Sequence, residues 1–247
     1  MLAIKNSIVL VTGGSRGIGA ATAKYLAKQG YAVCVNYLSN ESEANNVIAN
    51  IESSGGKAIA VQADVSNEND VIRLFNTIDT SLGKVTHLVN NAGVLLPQMR
   101  VSEMTADRIN KVLTTNVTSC FLCCREAINR MHSGGSIVNI SSVASRLGAP
   151  YEYVDYAASK GAIDTLTTGL SLEVASRNIR VNCVRPGFIY TDMHADGGEP
   201  GRIERVKKLI PLQRGGSTDE VAASIAFLLS DEASYITGTF VDIAGGK

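Results

Sequence analysis

Net charge is absent from this chain of 247 residues, because 23 Lys and Arg residues balance 23 Asp and Glu residues. A neutral chain gives no reason to expect nucleic acid or an anionic membrane as a partner. No apolar run reaches the roughly 20 residues that a membrane-spanning helix needs, and residues 1–6 do not have the features of a signal peptide. A cytoplasmic location is therefore expected.

A disulfide framework is also missing, because the five cysteines form an odd set and no secretory signal precedes them. Cys120 and Cys123 form a Cys-x-x-Cys, but they lie in an apolar stretch that reads as helical. A zinc site would need a second ligand pair, and none stands at a suitable spacing. The cysteines are predicted to be buried thiols, with no metal site.

What the chain does contain is the material for a large core. Hydrophobic residues make up 45% of it and charged residues 19%, which is typical of a folded domain. Apolar runs such as residues 8–11, 31–37 and 57–61 alternate with helical stretches such as 40–54 and 67–81. Strands and helices in this order predict an α/β fold with parallel strands and right-handed crossovers. No linker divides the chain, so residues 1–247 are expected to form one domain.

A glycine-rich turn joins the first strand to the first helix. Its sequence is Thr12-Gly13-Gly14-Ser15-Arg16-Gly17-Ile18-Gly19. Glycines at such a junction let the backbone approach a phosphate, whose charge the helix N-terminus favours. The spacing is G-x-x-x-G-x-G rather than the commoner G-x-G-x-x-G, and a tight turn without a ligand remains the alternative.

The end of the second strand indicates which dinucleotide would bind. NAD-preferring folds of this type place a carboxylate there, which holds the ribose 2′-hydroxyl. Here that position is Asn36 or Tyr37. Arg16, in the glycine-rich turn, could face a 2′-phosphate, although a plain surface charge is the alternative. Both features favour NADP.

Tyr156 and Lys160 are four residues apart on a predicted helix that extends to about residue 176, so they share one face. An ammonium beside a phenol favours the phenolate, and a phenol tuned in this way can exchange a proton with a substrate oxygen. The alternative is a tyrosine that anchors the helix and a solvated lysine. Asn116 lies in a long predicted helix, residues 105–131, where a buried amide needs partners.

Taken together, these motifs identify the chain as resembling the classical short-chain dehydrogenases/reductases along its whole length, and it is similar to 3-oxoacyl-acyl-carrier-protein reductases and glucose 1-dehydrogenases. The matching pieces are residues 12–19, Asn90-Asn91-Ala92-Gly93, Asn116, Ser142, Tyr156 with Lys160, and Pro186-Gly187. The resemblance implies a single Rossmann domain, doubly wound, with seven parallel strands in the order 3-2-1-4-5-6-7. It also implies a homotetramer built through helices 105–131 and 156–176 and the last strand.

The resemblance also implies roles for single residues. Tyr156 is the general acid for reduction, Lys160 supports it and holds the nicotinamide ribose, Ser142 bonds the substrate oxygen, and Asn116 steadies a water that passes protons to Lys160. The residues expected to contact the cofactor are Gly13, Ser15, Arg16, Gly17, Ile18, Gly19, Asn36, Tyr37, Asp64, Val65, Asn90, Ala92, Gly93, Tyr156, Lys160, Pro186, Gly187, Ile189 and Thr191.

One segment departs from the usual pattern of the family, and another corresponds to its substrate loop. Residues 143–155 are one residue longer than in the usual ketoacyl reductases, which bears on the choice of Ser142 over Ser141. Residues 194–210 would form a hinged lid over the substrate, where His194 either contacts the substrate or faces solvent. Of the two basic residues with which such reductases hold the acidic carrier protein, Arg177 is present and the other position is Ser133.

The sequence therefore predicts an NADP-dependent oxidoreductase, in the first place a reductase of a small ketone or aldehyde. A sugar or polyol dehydrogenase of the glucose 1-dehydrogenase type is the alternative. A non-catalytic NADP-binding sensor is a third reading, against which the intact Asn116, Ser142, Tyr156 and Lys160 argue.

Overall fold

The computed structural model describes residues 7–132 and 134–247. The expectations that concern residues 1–6 and Ser133 lie outside the described residues. Within the described part, the chain forms one seven-stranded sheet in the order β3-β2-β1-β4-β5-β6-β7. All neighbouring strands are parallel, which confirms the predicted fold class.

The strands and helices follow one another along the chain almost as predicted. The strands are β1 (Ile8–Val11), β2 (Ala32–Tyr37), β3 (Lys57–Gln62), β4 (His87–Asn90), β5 (Gly135–Ile140), β6 (Ile179–Pro186) and β7 (Phe240–Ile243). The helices are α1 (Gly17–Lys28), α2 (Glu41–Ser53), α3 (Glu68–Ser81), α4 (Ala106–Leu113), α5 (Ser119–Ile128), α6 (Ala144–Leu147), α7 (Val154–Glu173), α8 (Met193–Asp196), α9 (Arg202–Val206) and α10 (Thr218–Leu229). Short 3₁₀ turns lie at Val101–Glu103, Ala175–Arg177, Lys207–Leu209 and Asp231–Ala233.

The two faces of the sheet are covered by different helices. Successive strand residues point to opposite faces, so Val9 and Val11 pack with α1, α2 and α10, while Leu10 packs with α3 and α5. Because both faces are buried, the central strands read as continuous apolar runs. Because helices cover both faces, only the ends of the strands remain accessible. The carboxyl ends of all seven parallel strands lie at the same edge of the sheet.

The long helix predicted for residues 105–131 is not continuous. A π-helical turn, Thr114–Thr118, separates α4 from α5. Such turns are rare and frequently occur at functional sites. Asn116 lies in this turn, and its side chain bonds to the backbone of Val94. The 3.6-residue periodicity of the sequence gives no sign of this break.

Two further features concern the cysteines and the hydrophobic character of the helices. All five cysteines, Cys34, Cys120, Cys123, Cys124 and Cys183, are buried free thiols. Across residues 7–132 and 134–247, no helix combines the length and the apolar character that crossing a bilayer would require.

Candidate active site

The glycine-rich turn lies beside a cleft at the carboxyl ends of the strands, which it borders through Ile18. Gly13 has φ +59° and Gly17 has φ +55°, a region that glycine adopts without strain. A Cβ on Gly19 would lie 2.6 Å from Asn91 Nδ2. Helix α1 starts at Gly17 and has no acidic residue in its first turn. The turn therefore leaves space and backbone N–H groups for an anion, which fits the pyrophosphate of a dinucleotide.

Two asparagines hold this turn in place. Asn36 is buried, accepts from Gly13 N at 3.2 Å and donates to Ala63 O at 3.0 Å. Its side chain is thus turned into the protein and not towards a ribose. Asn91 donates to Thr12 O at 2.9 Å and to Gly13 O at 3.0 Å. Asn91 is not among the predicted site residues, although the repeated asparagine at residues 90–91 was a signal for it.

The side chain of Asn90 points away from the cleft. It is buried, and it donates to Asn139 Oδ1 at 2.9 Å and to Cys124 Sγ at 3.2 Å. These bonds connect β4 to β5 and to α5, so the side chain supports the sheet. Only the backbone of Asn90 remains for the expected ribose contact.

The predicted adenine contacts lie beyond the end of β3. Asp64 accepts from Ser66 N at 2.9 Å and from Ser66 Oγ at 2.6 Å, which closes a tight turn. Val65 and Tyr37 are buried. Their contact with a cofactor stays a prediction.

Arg16 connects the glycine-rich turn to the lid. Its Nη2 lies 2.5 Å from Asp196 Oδ2, and the two side chains are 55% and 44% exposed. Exposed pairs of this kind contribute about 1 kcal/mol or less. The pairing is weak enough for a stronger anion to displace Asp196.

Tyr156 and Lys160 face the same cleft from α7. Lys160 is buried, donates from Nζ to Ile140 O at 2.8 Å, and lies 5.5 Å from the centroid of the Tyr156 ring. A buried ammonium needs such a partner because desolvation penalises its charge. The pair therefore shares one side of its helix, and the alternative of a solvated lysine is wrong.

Two adjacent serines follow β5, and they point in different directions. Ser141 is buried and donates to Lys160 O at 3.0 Å. Ser142 is half-buried; its Oγ accepts from Ala144 N at 3.1 Å and donates to Pro186 O at 3.4 Å. Both serines border the cleft, but Ser141 is buried and its bond to the carbonyl is shorter. The hydroxyl of Ser142 is therefore the more available of the two to a substrate.

Asn116 joins its π-helical turn to the end of β4. Its Oδ1 accepts from Val94 N at 2.7 Å, and its Nδ2 donates to Val94 O at 3.1 Å and to Ser159 Oγ at 3.1 Å. Both N–H groups of the amide are therefore used, and its oxygen accepts one bond. A Cβ on Gly93 would lie 3.3 Å from Asn116 Oδ1 and 3.6 Å from Lys160 Nζ, so glycine keeps this corner of the cleft open.

The cleft has a volume of about 270 Å³. Nine of the predicted site residues border the cleft: Ile18, Gly93, Ser142, Tyr156, Lys160, Pro186, Gly187, Ile189 and Thr191. The lid side is formed by Met193, His194 and Arg202. Arg177 lies outside the cleft, where its Nη2 donates to Ile128 O at 2.7 Å at the end of α5. A cation committed to a helix end is less available to an acidic partner.

Proteins of known family resemble this chain along nearly its whole length. The sequence model of a family described as Enoyl-(Acyl carrier protein) reductase matches residues 13–247. The uncharacterized oxidoreductase YgfF of Escherichia coli (strain K12) is 64% identical over 98% of this chain and 100% of its own length. A 3-oxoacyl-[acyl-carrier-protein] reductase of Synechocystis is 41% identical over 100% of this chain and 98% of its own.

Two further proteins cover nearly the whole chain. Glucose 1-dehydrogenase 2 of Bacillus subtilis is 38% identical over 96% of this chain and 93% of its own length. A solved structure of a short-chain dehydrogenase/reductase from Serratia marcescens superposes with a TM-score of 0.93 at 33% identity, covering 99% of this chain and 98% of that one. The similarity thus extends over the fold and the cleft together.

Proposed function

Because this chain belongs to the short-chain dehydrogenase/reductase family, we propose that it reduces the carbonyl group of a small ketone or aldehyde to an alcohol with NADPH. The observation that carries the proposal is the convergence of Ser142, Tyr156 and Lys160 on one cleft, which the glycine-rich turn borders through Ile18. The chain is an oxidoreductase that acts on C=O or CH–OH groups; the substrate, the cofactor preference and the direction are the proposed part.

The side chains divide the reaction among them. Ser142 donates a hydrogen bond to the substrate oxygen and stabilises the negative charge that grows there. Tyr156 delivers a proton to the same oxygen, and in the reverse direction removes it. The Lys160 ammonium stabilises the charge left on Tyr156. The nicotinamide cofactor, when bound, supplies the hydride; the protein orients the two reactants and excludes water.

The proton that Tyr156 gives up must be replaced. The predicted role of Asn116 was to steady a water near Lys160. Because Val94 and Ser159 occupy its side-chain amide, we place that water on a backbone oxygen of the π-helical turn. This assignment gives the interrupted helix a catalytic purpose.

Preference for NADPH rests on charge. Arg16 is the cation of the glycine-rich turn, and no carboxylate stands at the end of β2 or just after it, at Tyr37, Leu38 or Ser39. A 2′-phosphate would gain Arg16, while a 2′-hydroxyl would find no acidic acceptor there.

A homotetramer remains a proposal that two exposed side chains support. Phe121 on α5 is 52% exposed and Leu172 on α7 is 77% exposed, on the two helices expected to meet a second copy. Light scattering that gives the mass of a monomer would contradict it. The cytoplasmic location stays a prediction, which cell fractionation tests.

The activity is tested with NADPH absorbance and a panel of carbonyl compounds. We expect turnover by the native chain, and a loss of 10³-fold or more in kcat for Tyr156→Phe, with the Kd for NADPH changed less than two-fold. Tyr235→Phe is the matched control, because the Tyr235 side chain is fully exposed. Tight NADPH binding without turnover of any carbonyl or alcohol would instead support the sensor.

A further inference from the structure

The substrate end of the cleft has an apolar wall. It is built from Leu95 after β4, from Leu147 and Pro150 in the segment before α7, and from Phe188 and Met193 on the lid side. Apolar walls gain little from substrate hydroxyl groups, because each hydroxyl must leave its hydration shell without finding a partner. The wall therefore favours a substrate whose body is apolar over one that carries hydroxyl groups.

The charged side chains at this wall neutralise each other. The Arg202 side chain is 10% exposed. It donates to Glu152 and, at 3.2 Å, to Glu199. The second oxygen of Glu152 accepts from Arg205 at 3.1 Å. The guanidinium of Arg202 also lies 4.8 Å from the centroid of the Tyr153 ring.

A substrate carboxylate would therefore meet a cation that two carboxylates already share. Binding it would require breaking an ion pair at a site that is largely closed to water, where unpaired charge is costly. The wall thus disfavours charged substrates as well as polar ones.

The remaining polar groups of the wall are almost all engaged. Tyr153 donates its hydroxyl to Gly197 O at 3.0 Å. His194 Nε2 lies 3.0 Å from Ile189 O, and because a carbonyl can only accept, Nε2 carries the proton. Burial lowers the pKa of His194, so the ring is neutral at pH 7. Its Nδ1 is buried and has no partner among the described residues.

We propose that the substrate is an uncharged ketone or aldehyde with an apolar body of about one ring, and not a sugar, a polyol or a carboxylate. The proposal rests on the carbonyl reductase activity proposed above. Besides Ser142 and Tyr156, which hold the reacting oxygen, the buried polar atom without a partner among the described wall residues is His194 Nδ1, and the oxygens of Glu152 are already paired with Arg202 and Arg205. The cleft of about 270 Å³ must also admit the nicotinamide end of the cofactor, which limits the size of the substrate.

The test compares ketones that share a six-membered ring and differ in its polar substituents: cyclohexanone, 4-oxocyclohexanecarboxylate, and the pentahydroxy ketone 2-keto-myo-inositol, each with NADPH. We expect kcat/KM for cyclohexanone to exceed that for the carboxylate by about 10²-fold and that for the pentahydroxy ketone by 10³-fold or more, since one uncompensated hydroxyl costs roughly ten-fold or more. Equal or higher kcat/KM for either polar ketone, or for glucose with NADP, overturns the proposal.

Two serine variants locate the effect. Leu147→Ser should lower kcat/KM for cyclohexanone about ten-fold and narrow the gap to the pentahydroxy ketone. Ile72→Ser on α3 should change neither value, because Ile72 is comparably exposed but lies outside both the cleft and residues 194–210. If Leu147→Ser leaves the ratio of the two ketones unchanged, the wall is not the selecting element.

Binding separates a failure of this proposal from a failure of the reductase. Cyclohexanol and myo-inositol are titrated into the NADPH-loaded protein, with cofactor fluorescence as the signal. If no carbonyl is turned over but cyclohexanol binds at least ten-fold more tightly than myo-inositol, the reductase activity is wrong and the selectivity for an apolar ligand is supported. Tighter binding of myo-inositol contradicts that selectivity.

Discussion

Asn116 and Val94 form two hydrogen bonds between one side chain and one backbone residue, with Val94 N donating to Oδ1 at 2.7 Å and Nδ2 donating to Val94 O at 3.1 Å. This arrangement imitates a strand pairing at the point where β4 has ended. It satisfies two backbone groups that would otherwise lie unpaired beside the cleft. It also fixes the π-helical turn against the site.

Removing this amide should therefore affect both stability and catalysis. Asn116→Ala leaves the N–H and C=O of Val94 without partners, at a cost of about 1–3 kcal/mol each. We expect the free energy of unfolding to fall by about 2–6 kcal/mol and kcat to fall at least ten-fold in the folded fraction. Asn110→Ala, on the exposed face of α4, is the control. Urea unfolding measures stability, and an Asn116→Ala protein as stable as the control would contradict the role.

The two serines after β5 should separate on mutation. Ser142→Ala should lower kcat/KM for carbonyl reduction about 10²-fold, because it removes a donor to the developing oxyanion, and it should leave the Kd for NADPH unchanged. Ser141→Ala removes a bond to the Lys160 carbonyl, so its main effect should be on the unfolding midpoint. Activity lost in Ser141→Ala and retained in Ser142→Ala would reverse the assignment.

Arg16 and Asp196 give a test of cofactor preference in both directions. Arg16→Ala should raise the Kd for NADPH about ten-fold, an effect of ~1.4 kcal/mol, and change the Kd for NADH less than two-fold. Asp196→Ala frees Arg16 and should tighten NADPH binding modestly. Fluorescence titration of both cofactors measures these constants. A native chain that binds NADH more tightly than NADPH would show that Arg16 does not act on the 2′-phosphate.

His87 should make stability depend on pH. Burial, with the positive charge of Arg180 adding to it, lowers the pKa of His87 to about 4, while in the unfolded chain it is about 6.5. The unfolded state therefore takes up the proton first, and the free energy of unfolding should fall as the pH drops from about 6.5 to about 4, by on the order of 2–3 kcal/mol in all.

The comparison between variants isolates this effect from the titration of carboxylates. His87→Gln should flatten the difference in unfolding free energy between pH 7.5 and pH 5. His132→Gln changes an exposed histidine and should keep the native dependence. Parallel pH curves for all three proteins would rule out His87 as the source.

The sequence predicted the fold well because the strand signal is local. Runs such as residues 8–11 are short, apolar and bounded by turn residues, and a strand–helix alternation admits few topologies. The break at Thr114–Thr118 was not predicted, because Val94, the residue to which Asn116 bonds there, lies 22 residues away along the chain. Periodicity within a helix cannot report a partner outside it.

The site was predicted less evenly. The sequence predicted that Tyr156 and Lys160 share one face, because both lie on one helix and spacing alone fixes their relative position there. Asn36 was expected to face the cofactor, whereas its buried side chain instead bonds to Gly13 and Ala63. A strand residue at the end of a sheet can turn either way, and its neighbours on β1 and β3 decide which.

By itself, then, the sequence determined the order of the elements, the glycine-rich turn and the helix that presents the phenol, since each depends on residues close together in the chain. Only the tertiary structure decided what surrounds them. The pairings of Arg16 with Asp196 and of Arg202 with Glu152 join segments 180 and 50 residues apart. Such pairings decide which polar groups of the cleft remain available to a ligand. The residue type gives only the number of hydrogen bonds that a side chain can form, and its neighbours in the folded protein determine how many of them are already made.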